Sequence, residues 1–202
     1  ASLVGVDIYE VTFSGVSGGA GVRSLIAIAT DVSEFYSADE TTVQVSTSVV
    51  AHLIFYNRSA WDGKDAAANV GDDDAIASDK VALLPGQTAT FANYTSYDKG
   101  INGLMIDVRH LWGTPTVDDF LFRVGNDSKP YGTDLNNPAD DWPWAPAPLE
   151  ITVRTGAGVD GADRVTLIWA DGVIRNRWLQ VTLRATDATG LATHDVFYVG
   201  NA

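Results

Sequence analysis

The chain has 202 residues and no cysteine, which excludes a disulfide framework, a thiolate metal site and cysteine nucleophile chemistry; one large domain of this length buries a core without covalent staples. Its formal charge is -13, from 26 acidic against 13 basic residues, so its field repels phosphate backbones and anionic lipid, and nucleic acid is excluded as an expected partner. Of the acids 22 are Asp and 4 are Glu, a bias toward the residue of turns and metal-binding loops over the usual acid of helix surfaces.

No run of about 18 apolar residues exists, and Ala1 opens without a charged segment leading into an apolar one, so neither membrane insertion nor a signal peptide is expected within this chain. The start without Met suggests a piece cut from something longer.

In chain order, residues 3–13 are rich in β-branched and aromatic side chains and predict a strand, ended by the Gly-rich stretch 14–21. Residues 24–32 and 41–46 predict two more. Over 49–56 the alternation sets Val49, Ala51, Leu53 and Phe55 on one face and His52, Ile54 and Tyr56 on the other; both faces are apolar enough to be covered. Residues 57–79 form a long acidic loop. An apolar run at 80–84 closes on the turn pair Pro85-Gly86, and short strand segments follow at 88–94, 103–108 and 120–124. A second long loop, 125–148, carries five prolines and two tryptophans and cannot be helical over most of its length. The rhythm resumes at 149–154, 164–169, 177–185 and 195–199. The nearest helix candidate, 73–83, is short and has no clear stop. No internal repeat of about 20–50 residues is present, which sets solenoids and propellers aside. The pattern predicts an all-β fold: one antiparallel β-sandwich or jelly roll over 1–202, with long acidic and Pro/Trp-rich loops.

Several stretches carry a family resemblance: Ile54-Phe55-Tyr56-Asn57, Trp61-Asp62-Gly63-Lys64-Asp65, the run from Ala82-Leu83-Leu84-Pro85-Gly86 to Ala92-Asn93-Tyr94, Trp178-Leu179-Gln180-Val181-Thr182, and the closing run from Asp195 to Ala202. Together they resemble a module that recurs in very large secreted proteins of planctomycete-type bacteria, often shortly before dockerin-like repeats. The similarity covers roughly residues 50–202; residues 1–45 match less closely and leave the N-terminal boundary of the module open. The resemblance implies a multimodular protein that is secreted, extracellular or at the cell surface, with a carbohydrate-binding role. It brings no catalytic or ligand residue with it.

Two constellations carry chemistry. In the acidic loop Asp62, Asp65, Asn69, Asp72, Asp73, Asp74 and Asp79 crowd together, and hard oxygen ligands at this density suit a structural Ca²⁺ ion, for which Asp62, Asp65, Asn69, Asp72, Asp73 and Asp79 are the candidate ligands. The spacing is not that of an EF-hand, and the competing reading is a solvated loop of Asx-turns and caps partly balanced by Lys64 and Lys80. The second constellation is a set of aromatics outside the strands: Trp61, Trp112, Tyr131, Trp142 and Trp144. An exposed indole offers a flat apolar platform to the C–H face of a sugar ring while nearby Asp, Asn and Arg bond its hydroxyls. The competing reading has Trp142 and Trp144 folding back to plug an open end of the sandwich.

Trp169 and Trp178 lie within strands and are expected in the core or on a sheet face. His52, His110 and His194 are too scattered for a metal set, and His52 reads as a hydrogen-bonded structural residue. Asn57, Asn93 and Asn126 each begin a glycosylation-type triplet. No nucleophile elbow or phosphate loop occurs, and no carboxylate pair is nominated for glycoside hydrolysis, so a non-catalytic module is expected, monomeric in isolation, with polysaccharide as its partner. A structural or adhesive spacer and a polysaccharide hydrolase or lyase are the alternatives.

Overall fold

The computed structural model describes residues 23–30, 38–126 and 142–202, so the strand expected at 3–13 and the candidate residue Tyr131 lie outside the described residues. Strands β1 (Arg23–Thr30) and β2 (Ala38–Val45) pair as an antiparallel hairpin. Two four-stranded sheets follow. The first joins β3 (Ser48–Ile54), β5 (Gly103–Arg109), β8 (Asp163–Ile168) and β7 (Glu150–Arg154), in that order and antiparallel throughout. The second joins β4 (Tyr94–Thr95), β10 (Asp195–Asn201), β9 (Trp178–Leu183) and β6 (Phe120–Gly125), antiparallel except for the short β4, which runs parallel to β10. The fold is an all-β sandwich.

Alternation drives the packing. Leu104, Ile106 and Val108 of β5 with Val165 and Leu167 of β8 face Phe122, Val124, Leu179, Val181, Leu183, Phe197 and Val199 of the other sheet, in one buried cluster. Trp169 completes that cluster edge-on to Phe122, ring centroids 5.3 Å apart, and its Nε1 donates to the Pro146 carbonyl at 2.9 Å. Of the two indoles expected inside strands, Trp178 opens β9 half-buried, whereas Trp169 lies one residue past β8, in the core.

The first sheet is covered on its outer face too. Phe55, Ala75, Met105 and Ile168 form a second buried cluster, against which Leu53, Ala68 and Ile76 pack, so the acidic loop folds back over the sheet as a third layer. This is why every residue of β5 from Gly103 to Val108 is buried. A Cβ on Gly103 would stand 2.6 Å from the Phe55 ring, so the close approach needs glycine there.

Three sequence expectations shift. The helix candidate 73–83 is replaced by a 3-10 turn at Val70–Ala75, because a run of Gly and Asp favours caps over helix continuation. The segments 80–84 and 88–94 do not become full strands: Leu83 makes an isolated bridge to Tyr198, and Thr90 N–H and Oγ1–H both donate to Asn93 Oδ1, bending the chain into a turn before the two-residue β4. A bulge between Val49 and Ala51 moves Val49 to the inner core instead of the face of Leu53 and Phe55.

Candidate functional site

The end of the sandwich where β3 and β8 finish and β5 begins gathers the loops 55–66, 97–102 and 169–176. They are tied across: Trp169 N–H donates to the Asn102 carbonyl at 3.0 Å, Gly172 N–H to the Lys99 carbonyl at 2.8 Å, and Asn201 Nδ2 from the second sheet to the Tyr97 carbonyl at 3.1 Å. Trp61 stands here at 66% exposed. Its ring centroid lies 6.2 Å from that of Tyr56, which is 4.9 Å from Tyr97. Beside the aromatics, Arg58 and Lys99 both lie close to Asp171, at 3.4 and 3.6 Å, and Lys99 Nζ donates to the Arg58 carbonyl at 2.8 Å. Tyr97 O–H donates to the Asn57 carbonyl at 3.0 Å; burial, with the nearby Asp98, Asp171 and Asp62 charges, pushes its pKa up to about 12.

The sequence-nominated acids take different tasks. Asp62 is buried, and its carboxylate accepts the N–H groups of Arg58 and, at 2.9 Å, Lys64; both donors sit in left-handed backbone, at φ 60° and 64°, so the chain wraps tightly around the carboxylate. Asp65 accepts from Ala67 N–H at 3.1 Å and from Asn69 Nδ2 at 2.8 Å, exposed to solvent. Asn69 caps the 3-10 turn through Gly71 N–H, and Asp72 Oδ2 accepts Asn69 N–H at 2.9 Å to complete the capping box. Burial, with Asp62 and Asp65 nearby, raises the Asp72 carboxyl above its ordinary value against the opposing effects of that hydrogen bond and Arg154.

Asp73 and Asp79 stand apart. Asp73 accepts from Arg154 and, at 2.8 Å, from Arg164, whose other nitrogens clasp the fully buried Asp107 at 2.8 Å twice. Burial pushes Asp73 up, but the two guanidinium groups outweigh it and hold the carboxyl below its ordinary range; the Asp107 hydrogen bonds raise Arg164. Asp73 is therefore the anchor pinning the loop layer to the sheet. Asp79 is exposed and pairs with Lys80 at 3.1 Å. Among the described residues no three His, Cys, Asp or Glu side chains converge as metal ligands.

The nominated indoles divide in the same way. Trp142 is 4% exposed, stacked where a Cβ on Gly125 would collide with its ring and set edge-on to Tyr198 at 6.2 Å; it is a plug and not a surface platform. Trp112 is half-buried against Gly190. Trp144 is 61% exposed, and the Arg123 guanidinium lies 4.0 Å over its ring, fixing the indole by a cation–π contact. Among the histidines, His52 Nε2 lies 2.7 Å from Asp195 Oδ2, as a hydrogen-bonded structural residue would.

Sequence reasoning missed Asn57, Tyr56, Tyr97 and Arg58 as members of this end. Asn57 is 1% exposed: its Nδ2 donates to the Ala66 carbonyl at 3.4 Å, its carbonyl accepts Tyr97 O–H and Asn102 Nδ2, and its Oδ1 has no hydrogen-bond partner. The buried Asn57 and Asn93 are poor glycosylation acceptors, whatever their triplets. No family model, no curated protein and no solved structure matches the chain.

Proposed function

We propose that the chain is a non-catalytic polysaccharide-binding module of a larger secreted protein, with Trp61 as the principal sugar platform. The observation that carries this reading is the two-thirds exposure of Trp61, held beside Tyr56 and Tyr97 with Arg58, Lys99 and Asp171 within the same loop cluster. A sugar ring stacked on the indole would meet both hydrogen-bond donors and an acceptor at its rim, which is what oriented recognition of hydroxyls requires. Trp144, immobilised by Arg123, supplies a second platform. The resemblance to modules of giant secreted bacterial proteins agrees with this role. The charge of -13 favours neutral polymers over uronate-rich or sulfated ones.

Affinity electrophoresis against neutral and acidic plant, algal and bacterial polysaccharides tests the proposal. Retardation on a neutral polymer is expected, reduced at least tenfold in affinity by Trp61→Ala, equivalent to about 1.4 kcal/mol. No retardation on any polymer removes the reading in favour of a structural spacer. New reducing ends or unsaturated products on the same polymers would point to a hydrolase or lyase instead.

A further inference from the structure

We infer that the loop following β3 holds one divalent, oxygen-seeking cation, Ca²⁺ by its chemistry, against Asp72 Oδ1, Asn57 Oδ1 and the Asp62 carboxylate. Asp72 is fully buried; its Oδ2 has the Asn69 N–H, whereas its Oδ1 has no partner. Asn57 opens the same loop and carries no charge, yet its buried Oδ1 is likewise without a partner, and its amide is tied further along the loop by the bond to the Ala66 carbonyl. Asp62 lies close enough to Asp72 for the two charges to repel, and its carbonyl is 3.8 Å from the position a Cβ would take on Gly71, the residue before Asp72. The chain thus doubles back to bring residues 62 and 72 together, with Asn57 tied into the same loop at Ala66.

Both orphans are acceptors. A water molecule would donate to each but would bring no charge to two adjacent buried carboxylates. Among the described residues no basic side chain bonds to either of them, while the next residue, Asp73, takes two arginines. Leaving a buried charge unpaired is costly, and a cation removes that cost. Two carboxylates and one amide oxygen, completed by water, make a mixed, irregular oxygen set; Ca²⁺ accepts such a set, whereas Mg²⁺ demands near-ideal octahedral geometry. The ligand set differs from the one suggested by acid density, since Asp73 and Asp79 are otherwise engaged and Asn57 joins.

Cation binding here is independent of the sugar reading, and its test uses no glycan. The full chain, stripped with EDTA, is titrated with CaCl₂ by calorimetry and melted with and without the ion. One ion per chain is expected, with a Tm rise of about 5–10 °C at a hundredfold excess over Kd. Asp72→Asn should abolish binding and Asn57→Ala weaken it at least tenfold, while Asp79→Asn leaves it intact. If Asp72→Asn fails to fold, tryptophan-sensitised Tb³⁺ emission from the unaltered chain, displaced by Ca²⁺, still decides. A flat titration with the same Tm in EDTA and in CaCl₂ overturns the site, and so does an equal loss in Asp79→Asn, which would reduce it to diffuse attraction by the loop's charge.

Discussion

Arg164 shows how one side chain ties this molecule together. It bonds the buried Asp107 twice on its own sheet and reaches Asp73 in the overlying loop, so its removal strands a carboxylate that has no access to water. Arg164→Met should cost about 3–5 kcal/mol, read from urea midpoints at unchanged slope; replacing Asp107 and Arg164 together by apolar residues should recover much of that loss. Two phenols link stability to alkaline pH. Tyr198 is raised above 10.0 by burial despite its bond from Gln180, and Tyr97 reaches about 12. For a raised pKa the native state holds the proton longer, so the contribution is complete below pH 10.0 and is lost as pH rises through the native values. Tyr198→Phe should therefore flatten the fall of unfolding free energy with alkaline pH, measured by denaturant titration at successive pH values.

At the scale of elements, the acidic loop is a packed layer and not a solvated excursion. Phe55 joins it to the sheet through Met105, Ile168 and Ala75, and Phe55→Ala should cost about 3–5 kcal/mol and expose residues 57–79 to limited proteolysis. The Pro/Trp loop behaves likewise at Trp142. Gly125→Ala places a methyl group where the indole lies, and should cost about 1–3 kcal/mol with an altered near-ultraviolet dichroism spectrum. The strands were legible as short apolar runs between turn residues: 103–108, 120–124 and 164–169 fall on β5, β6 and β8 almost residue for residue. The segments 80–84 and 88–94 misled because their apolar residues serve turns and a single bridge, which composition alone does not distinguish from a strand.

Across the whole molecule, the excess of acid over base gives a sequence pI near 4.3 and a self-repulsion that salt relieves. Melting temperature should rise between low ionic strength and 0.15 M NaCl, about physiological, without Ca²⁺ present; an unchanged value would mean that the charges are already balanced locally. One end of the sandwich collects loops from three separate stretches of chain and leaves Trp61 outside the packing that absorbs Trp142 and Trp169.

By itself the sequence determined the all-β class and the sandwich, because short apolar runs and turn residues act over a few positions and need no distant partner. Only the tertiary structure decided which Asp anchors, which caps and which is left with an orphan oxygen, and which indole plugs or projects. Those outcomes depend on Arg154 and Arg164, far away along the chain, and on Asn57 and Gly125, nearer in sequence, whose surroundings only folding sets.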